Sequence, residues 1–476
     1  MQGIRLDREN PVTLRRQIYQ ALRDQMTDGR LKAGEPLSST RELSKSLNIS
    51  RSTVCEAYDM LIAEGFAVSR QGAPTRVAEG LFMEALLRNA PEPESVCENA
   101  IQADFRTGRP DLRLFPRYLW MQMLNRAGDE MPPEYYGYTG AQGLFELRQE
   151  ISAWLFRIRG LTVDPGNIFI TQGATHALHL ITELVCGNGR AIMMEDPCHT
   201  GMLQTLRNKG CRIEAVPVDE CGIRTDLLDL RTCTGEDETD KVERNVGAIY
   251  VTPAHQFPLG GILPASRRTS LIRYAKEKKA YIVEDDYDSE FRFCGEPVAP
   301  LYSMAPERVI YVGTFSKTVF PALRVGYVIL PRELHRQWKH LRTHTDVQNP
   351  IFEQAALAEF LAARKLDRHV RSMRRQYGER RKVLLDSMTE TFGTGFKVYG
   401  DNAGLHVAIE FPGFRFDDQY RKSALNKGIA VTPMEYHCIE KGRHMNKLIL
   451  GYGHLDQDEI RNGTKILYEH MEEYFR

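Results

Sequence analysis

The sequence predicts an α/β protein in two unequal parts: an N-terminal winged helix-turn-helix and a large domain built on a mainly parallel central sheet. Three observations lead there. At 476 residues the chain exceeds the roughly 250–300 that one hydrophobic core supports, so at least two units are expected. The segment 1–80 carries three short helical patterns followed by a hairpin pattern. The rest alternates continuous apolar runs with helical stretches, the mark of strands buried on both faces. A hydrophobic content of 42% with 26% charged residues excludes a mainly disordered or collagen-like chain.

The start, Met1 to Asn10, is charged and lacks the apolar core of a signal peptide. No apolar run approaches the ~18 residues that span a bilayer, so a cytoplasmic protein away from membranes is expected. The nine cysteines are scattered, form no C-x-x-C pair and have no zinc-ligand spacing, which favours free thiols and no metal. Lys+Arg and Asp+Glu both number 63, so the whole chain gives no sign of a polyanion partner.

Taken in order, Leu14, Ile18, Leu22 and Met26 recur every fourth residue and predict an amphipathic helix, which Gly29 and Gly34 end. Ser39-Thr-Arg-Glu42 is a capping-box pattern that opens a short helix with Leu43 and Leu47 on its inner face. After Asn48-Ile49-Ser50, a third helix places Val54, Tyr58, Leu61 and Ile62 inward and stops at Gly65. Phe66 to Arg70 and Thr75 to Val77 then pair as strands about Gln71-Gly-Ala-Pro74.

Helix, turn, helix and wing predict a DNA reader whose third helix enters the major groove first turn leading. That turn is Ser50-Arg51-Ser52-Thr53, three hydroxyls and a cation, although Ser and Thr there also serve as ordinary caps. Arg41, and Arg70, Gly72 and Arg76 in the wing, are candidates for phosphate contact, as against merely solvated surface residues. The competing reading of the unit is a helical interaction module. Residues 1–80 hold twelve Lys and Arg against ten Asp and Glu, a net charge of only +2. Residues 81–103, acidic with Pro91 and Pro93, suit a linker, with Leu81 to Leu87 as a possible short helix, and the large domain spans 104–476.

In the large domain the apolar runs are 168–170, 191–194, 247–251, 280–283 and 309–312. Ligands of such sheets sit at the carboxyl ends of the strands, where three polar stretches follow the runs. Lys317, in Thr314-Phe-Ser316-Lys-Thr, lies just beyond a strand, where partial desolvation suits an amine to Schiff-base chemistry. Arg324 supplies a forked cation for a phosphate. Glu284-Asp285-Asp286-Tyr287-Asp288 places carboxylates at a strand end, either to hold a pyridine nitrogen protonated or to hold a divalent metal. Thr171-Gln-Gly173-Ala174-Thr-His runs from strand through glycine into a helix whose N–H groups can cradle a phosphate.

These stretches carry resemblances. Pro11-Val-Thr-Leu-Arg-Arg-Gln-Ile18, Leu37-Ser-Ser-Thr-Arg-Glu-Leu43 and Ser50-Arg-Ser-Thr-Val-Cys-Glu-Ala-Tyr58 resemble a GntR-type winged helix, which implies double-stranded operator DNA as partner. The large domain is similar to fold-type I aminotransferases. The whole chain resembles the MocR/GabR regulators on Thr252-Pro-Ala-His-Gln-Phe-Pro258, Glu284-Asp-Asp-Tyr-Asp-Ser-Glu-Phe291 and Ala403-Gly-Leu-His406.

That resemblance implies pyridoxal 5'-phosphate, with Lys317 as its Schiff-base lysine, Asp285 at the pyridine nitrogen and Tyr287 at the ring hydroxyl. It implies Gly173, Ala174, Thr314, Ser316 and Arg324 around the phosphate, and Tyr138 reaching that phosphate across a homodimer interface. It further implies a regulator responding to an amine or amino-acid effector, through an external aldimine, or to pyridoxal phosphate itself. The alternatives are an aminotransferase with an appended DNA-binding domain, and a large domain that only dimerises. The sequence departs from the family in that His199 stands where a ring-stacking tyrosine is usual. Ile449 stands where aminotransferases hold the substrate carboxylate with arginine, and Gly201 and Glu435 where GABA-sensing relatives have arginines.

Overall fold

The computed structural model describes residues 4, 6–70, 72–79, 101–231, 245–296 and 298–475. The chain divides into two compact units, Met1–Cys97 and Glu98–Arg476. Residues 81–100 of the expected 81–103 linker, with the short helix expected there, and Gln71 in the wing turn lie outside the described residues.

In the first unit α1 (Leu14–Thr27), α2 (Thr40–Leu47) and α3 (Arg51–Ala63) are followed by β1 (Ala67–Val68) and β2 (Arg76–Val77). Ile18, Leu22, Met26, Leu43, Val54, Tyr58 and Leu61 form its core with Leu31, Leu37, Ala67 and Val77. Ile62, expected on the inner face of α3, is 36% exposed, because the 100° step from Leu61 carries it off the buried stripe. The capping box of α2 is complete: Glu42 N–H donates to Ser39 Oγ (3.2 Å) and Ser39 N–H to Glu42 Oε2 (3.1 Å). The two wing strands pair antiparallel, shorter than expected, with Gly72 in the left-handed region at φ +81° between them.

The second unit opens with β3 (Ala103–Asp104), α4 (Arg117–Glu130), α5 (Phe145–Arg159), β4 (Ile168–Thr171) and α6 (Ala174–Val185). Ala103, expected in the linker, is buried and pairs with a strand late in the chain, so the folded unit begins before residue 104. There follow β5 (Ala191–Asp196), α7 (Thr200–Asn208), β6 (Ile213–Asp219), β7 (Gly222–Ile223) and α8 (Leu228–Arg231). Then come β8 (Val246–Val251), α9 (Ala265–Glu277), β9 (Tyr281–Asp286), β10 (Val309–Thr314) and β11 (Gly326–Ile329). Helices α10 (His335–Thr345), α11 (Ile351–Ala362) and α12 (Lys365–Phe392) lead to β12 (Lys397–Tyr399), β13 (His406–Glu410) and α13 (Asp418–Asn426). The chain ends in β14 (Ile429–Ala430), β15 (Thr432–Pro433), β16 (Lys447–Gly451) and α14 (Gln457–Tyr474).

The central sheet has eight strands in the order β4-β11-β10-β9-β8-β5-β6-β7. From β10 through β6 the ladders are parallel, as the apolar runs predict; β11 and β7 run antiparallel to their neighbours. Every residue of β4, β5, β8 and β10 is buried, since apolar clusters cover both faces. This topology brings the carboxyl ends of β4, β5, β8, β9 and β10, and the start of β11, to one edge. A second sheet, β12-β13-β16-β15, forms the C-terminal part, with α12 and α14 packed together. Among the described residues no helix is long and apolar enough to cross a membrane.

Candidate functional site

At that shared edge lies a cavity of about 350 Å³. Asp285, Tyr287, Thr314, Ser316, Lys317, Arg324, Ala174 and His199 all line it, residues that stand up to 150 positions apart in the chain. Gly173 is the residue before α6, at φ +81°, and a Cβ there would stand 3.0 Å from the Arg324 guanidinium. Tyr138 is elsewhere: its side chain is 88% exposed, on the surface of this single chain.

Strand alternation parts the acidic cluster. Glu284 and Asp286 project from one face of β9 and Asp285 from the other. Glu284 accepts from the N–H groups of Leu301 (2.8 Å) and Tyr302 (2.9 Å), and Asp286 pairs with the buried Arg159 (3.0 Å). Only Asp285 of these three lines the cavity. Its Oδ2 accepts from Tyr250 (2.6 Å), whereas Oδ1 is buried with no hydrogen-bond partner. Burial pushes its carboxyl up to about 6; the hydrogen bond from Tyr250 opposes this, and Asp286 and Asp288 reinforce it.

Lys317 donates to the carbonyl of Gly108, and burial holds its amine below the usual lysine range against the pull of Asp288 and Asp285. The hydroxyls of Thr314 and Ser316 lie 3.0 Å apart beside it. Arg324 donates to Gln172 O (2.8 Å), which seats its guanidinium over the glycine turn. Helix α6 begins there with no side chain capping its first turn, so its N–H groups remain for an anion.

Pyridoxal phosphate needs an acceptor for its ring N–H, a cradle for its phosphate and an amine for its aldehyde. The orphaned Asp285 Oδ1, the uncapped α6 start with Gly173 and Arg324, and Lys317 match these needs in that order, so the residues fit the group. Tyr287 donates to His255 O (3.0 Å), and its hydroxyl oxygen lies 3.0 Å from His255 Nδ1, with one lone pair left for a further donor. His199 caps α7, its Nδ1 accepting from Met202 N–H (3.3 Å), and meets Phe257 edge-on. Burial, with Lys317 nearby, holds this imidazole at about 4, neutral at physiological pH.

Other lining residues escaped the sequence reading as site residues: Thr107, Gly108, Tyr250, Thr252, Phe257 and His437. Tyr250 had one available signal, a phenol within a doubly buried strand that must find a partner. Among the described residues one group could gather a metal ion: His255, Asp288 and His406, with ligand atoms within 4.8 Å of one another. Two of them are already engaged together, His255 Nδ1 donating to Asp288 (3.1 Å).

On the small unit the first turn of α3 is self-bonded. Ser50 Oγ accepts from Thr53 N–H (3.2 Å) and lies 2.8 Å from the hydroxyls of both Ser52 and Thr53. Arg51 is exposed and donates to Thr40 Oγ1 (3.2 Å). Arg41 and Arg70 are exposed and make no ion pair among the described residues, whereas Arg76 is held by Gly34 O (2.8 Å).

Comparison with known proteins agrees with this geometry. Residues 14–77 match the family "Bacterial regulatory proteins, gntR family", and residues 114–445 match "Aminotransferase class I and II". The chain is 30% identical to the probable rhizopine catabolism regulatory protein MocR of Rhizobium meliloti, over 97% of this chain and 94% of that one. It is also 30% identical to the HTH-type pyridoxine biosynthesis transcriptional regulator PdxR of Corynebacterium glutamicum, over 96% of each. Among solved structures, kynurenine aminotransferase of Pyrococcus horikoshii superposes with a TM-score of 0.72 at 25% identity, covering 80% of this chain and 93% of that one.

Proposed function

Since the chain belongs to the MocR-type regulators, pyridoxal-phosphate-binding transcription regulators that join a GntR helix-turn-helix to an aminotransferase class I and II domain, we propose that it is a cytoplasmic homodimer that senses a primary amine, or the cofactor itself, at the Lys317 cavity. The orphaned Oδ1 of Asp285 beside that lysine carries the reading. When bound, pyridoxal phosphate supplies an aldehyde that condenses with primary amines. Asp285 would receive the ring N–H; Thr314, Ser316, Arg324 and the start of α6 would hold the phosphate; Tyr287 would face the ring hydroxyl; and Lys317 would hold the aldehyde end. Lys317, its amine less basic through burial, releases and recovers a proton more readily than an exposed lysine. Tyr138, 88% exposed, is the residue that a second subunit would cover.

Arg41, Arg51, Ser52 and Arg70, with Gly72 at the wing tip, form the DNA face, and Ser50 and Thr53 fix its geometry. With a net charge of only +2 on residues 1–80, tight operator binding leans on two paired half-sites and few well-placed cations. A ligand alters that binding only through different affinities for the two states of the large domain.

The test is a Lys317→Ala variant, with operator fragments selected from a random pool. The wild type should develop a visible absorption band with pyridoxal phosphate and change its DNA affinity on adding ligand, and the variant should do neither. A variant that keeps both disproves the reading. An aminotransferase reading draws on the intact lysine and aspartate, but Ile449, buried among Leu259, Ala408 and Met434, supplies no anchor for a substrate carboxylate. Rapid multiple turnover with an amino donor and a keto acid would establish it instead.

A further inference from the structure

The cavity wall has a definite polarity. Among the described residues of this chain, its only cations are Lys317 and Arg324. Arg324 sits at the α6 start and Lys317 at the aldehyde position, so neither is left for a second anion. Much of the remaining wall is aromatic: Phe257 meets His199, His406, His437 and Tyr287 edge-on, with centroids 5.0–5.8 Å away.

Hydrogen bonding fixes which nitrogen of each imidazole carries the proton. His406 Nε2 faces the carbonyl of Pro258 (3.1 Å) and His437 Nδ1 that of Cys198 (3.2 Å). A carbonyl only accepts, so those nitrogens donate, and His406 Nδ1 and His437 Nε2 remain as acceptors. His199 is the reverse: its Nδ1 accepts from Met202, leaving Nε2–H as a donor. Tyr287 and Tyr250 donate to His255 O and Asp285, so their oxygens offer lone pairs only. Asp288 adds a carboxylate. Burial keeps the three imidazoles uncharged, those of His199 and His437 at about 4 and that of His406 well below the ordinary value.

The positions where an effector carboxylate would find arginine are closed to it. Ile449 is wholly buried, and Glu435 turns its carboxylate to the N–H groups of Gly442 and His444. A carboxylate oxygen, an acceptor only, would meet one imidazole N–H and the hydroxyls of Thr107, Thr175 and Thr200, facing further acceptors and two carboxylates. A hydroxyl or a second amine meets acceptors it can satisfy.

We propose that the effector is a primary amine lacking a carboxylate and bearing a further hydrogen-bond donor, selected by the acceptor wall of His406, His437 and Asp288. The inference rests on the reading of the cavity as a pyridoxal phosphate and amine site. The test uses the full-length holoprotein and matched pairs that differ by one carboxylate: ethanolamine against serine, and putrescine against ornithine. Calorimetry and the cofactor's absorption spectrum should show each amine binding at least tenfold more tightly than its amino acid. His437→Arg, which adds a cation to the wall, should narrow or invert the serine–ethanolamine ratio, while the wild-type pairs decide the matter independently. Equal or tighter binding of the amino acids overturns the inference, as does a holoprotein indifferent to both members of every pair, which would leave pyridoxal phosphate as the signal. Failure of the underlying reading looks different: no absorption band forms at all.

Discussion

Replacing Asp285 by Asn should make the cofactor-free protein more stable and the cofactor weaker, two effects of opposite sign from one atom change. The carboxyl is buried, its Oδ2 accepts from Tyr250 and its Oδ1 has no partner. Burial, supplemented by Asp286 and Asp288, raises it from 3.8 to about 6. At about 1.36 kcal/mol per pKa unit, the charged form then costs the folded state about 3 kcal/mol at pH 7.5. The folded state binds this proton more tightly than the unfolded one, so the cost is absent below about pH 4, grows up to pH 6 and is constant above. Asn keeps an oxygen for Tyr250 and carries no charge. The gain in apoprotein stability should therefore approach ~3 kcal/mol at pH 7.5 and vanish near pH 4, read by denaturant unfolding. Cofactor binding loses a charge-assisted hydrogen bond, about 1.5–3 kcal/mol, so the Kd for pyridoxal phosphate should rise roughly 10- to 150-fold. A variant that is less stable at pH 7.5, or that binds the cofactor as tightly as the wild type, refutes this reasoning.

Gly173→Ala places a Cβ 3.0 Å from the Arg324 guanidinium at φ +81° and ψ 174°, a nearly glycine-only conformation costing a side chain roughly 1–3 kcal/mol. Fluorescence titration should show pyridoxal phosphate binding weakened by about tenfold or more, with secondary structure retained. Ser50→Ala removes the cap of α3 and should cost the small unit about 1 kcal/mol in thermal or denaturant unfolding. Arg41→Ala and Arg70→Ala should weaken DNA binding alike across sequences and lower the log–log salt slope by about 1 each, measured by fluorescence anisotropy. An unchanged slope would mean that neither touches a phosphate.

Much of the fold was legible because its signals are local. The capping box at Ser39 and Glu42 and the fourfold apolar spacing of α1 need only neighbours a few residues apart. The buried strands announced themselves as runs of apolar residues, since a strand covered on both faces leaves no place for alternation. The antiparallel course of β11 had no such mark, because direction depends on the connection and leaves composition unchanged. Within the site, Lys317, Asp285 and Gly173 stood out by following apolar runs. His437 and Gly108 did not: their spacing carries nothing, and they reach the cavity only through chain reversals hundreds of residues apart. The first turn of α3 shows the opposite difficulty. Ser50 and Thr53 read either as groups that meet DNA or as ordinary caps, and their hydroxyls are bonded to one another and to the helix start.

By itself, then, the sequence determined the two-part architecture, the family and a set of candidate residues for a pyridoxal phosphate site, because each depends on residue type at short range. The tertiary structure alone decided which of the clustered carboxylates faces the cavity, which ring nitrogens carry protons, and that among the described residues no cation beyond Lys317 and Arg324 lines the wall. Those properties belong to partners brought together across the fold. Hydrogen-bond polarity is set by whichever group lies opposite, and that group is chosen by packing.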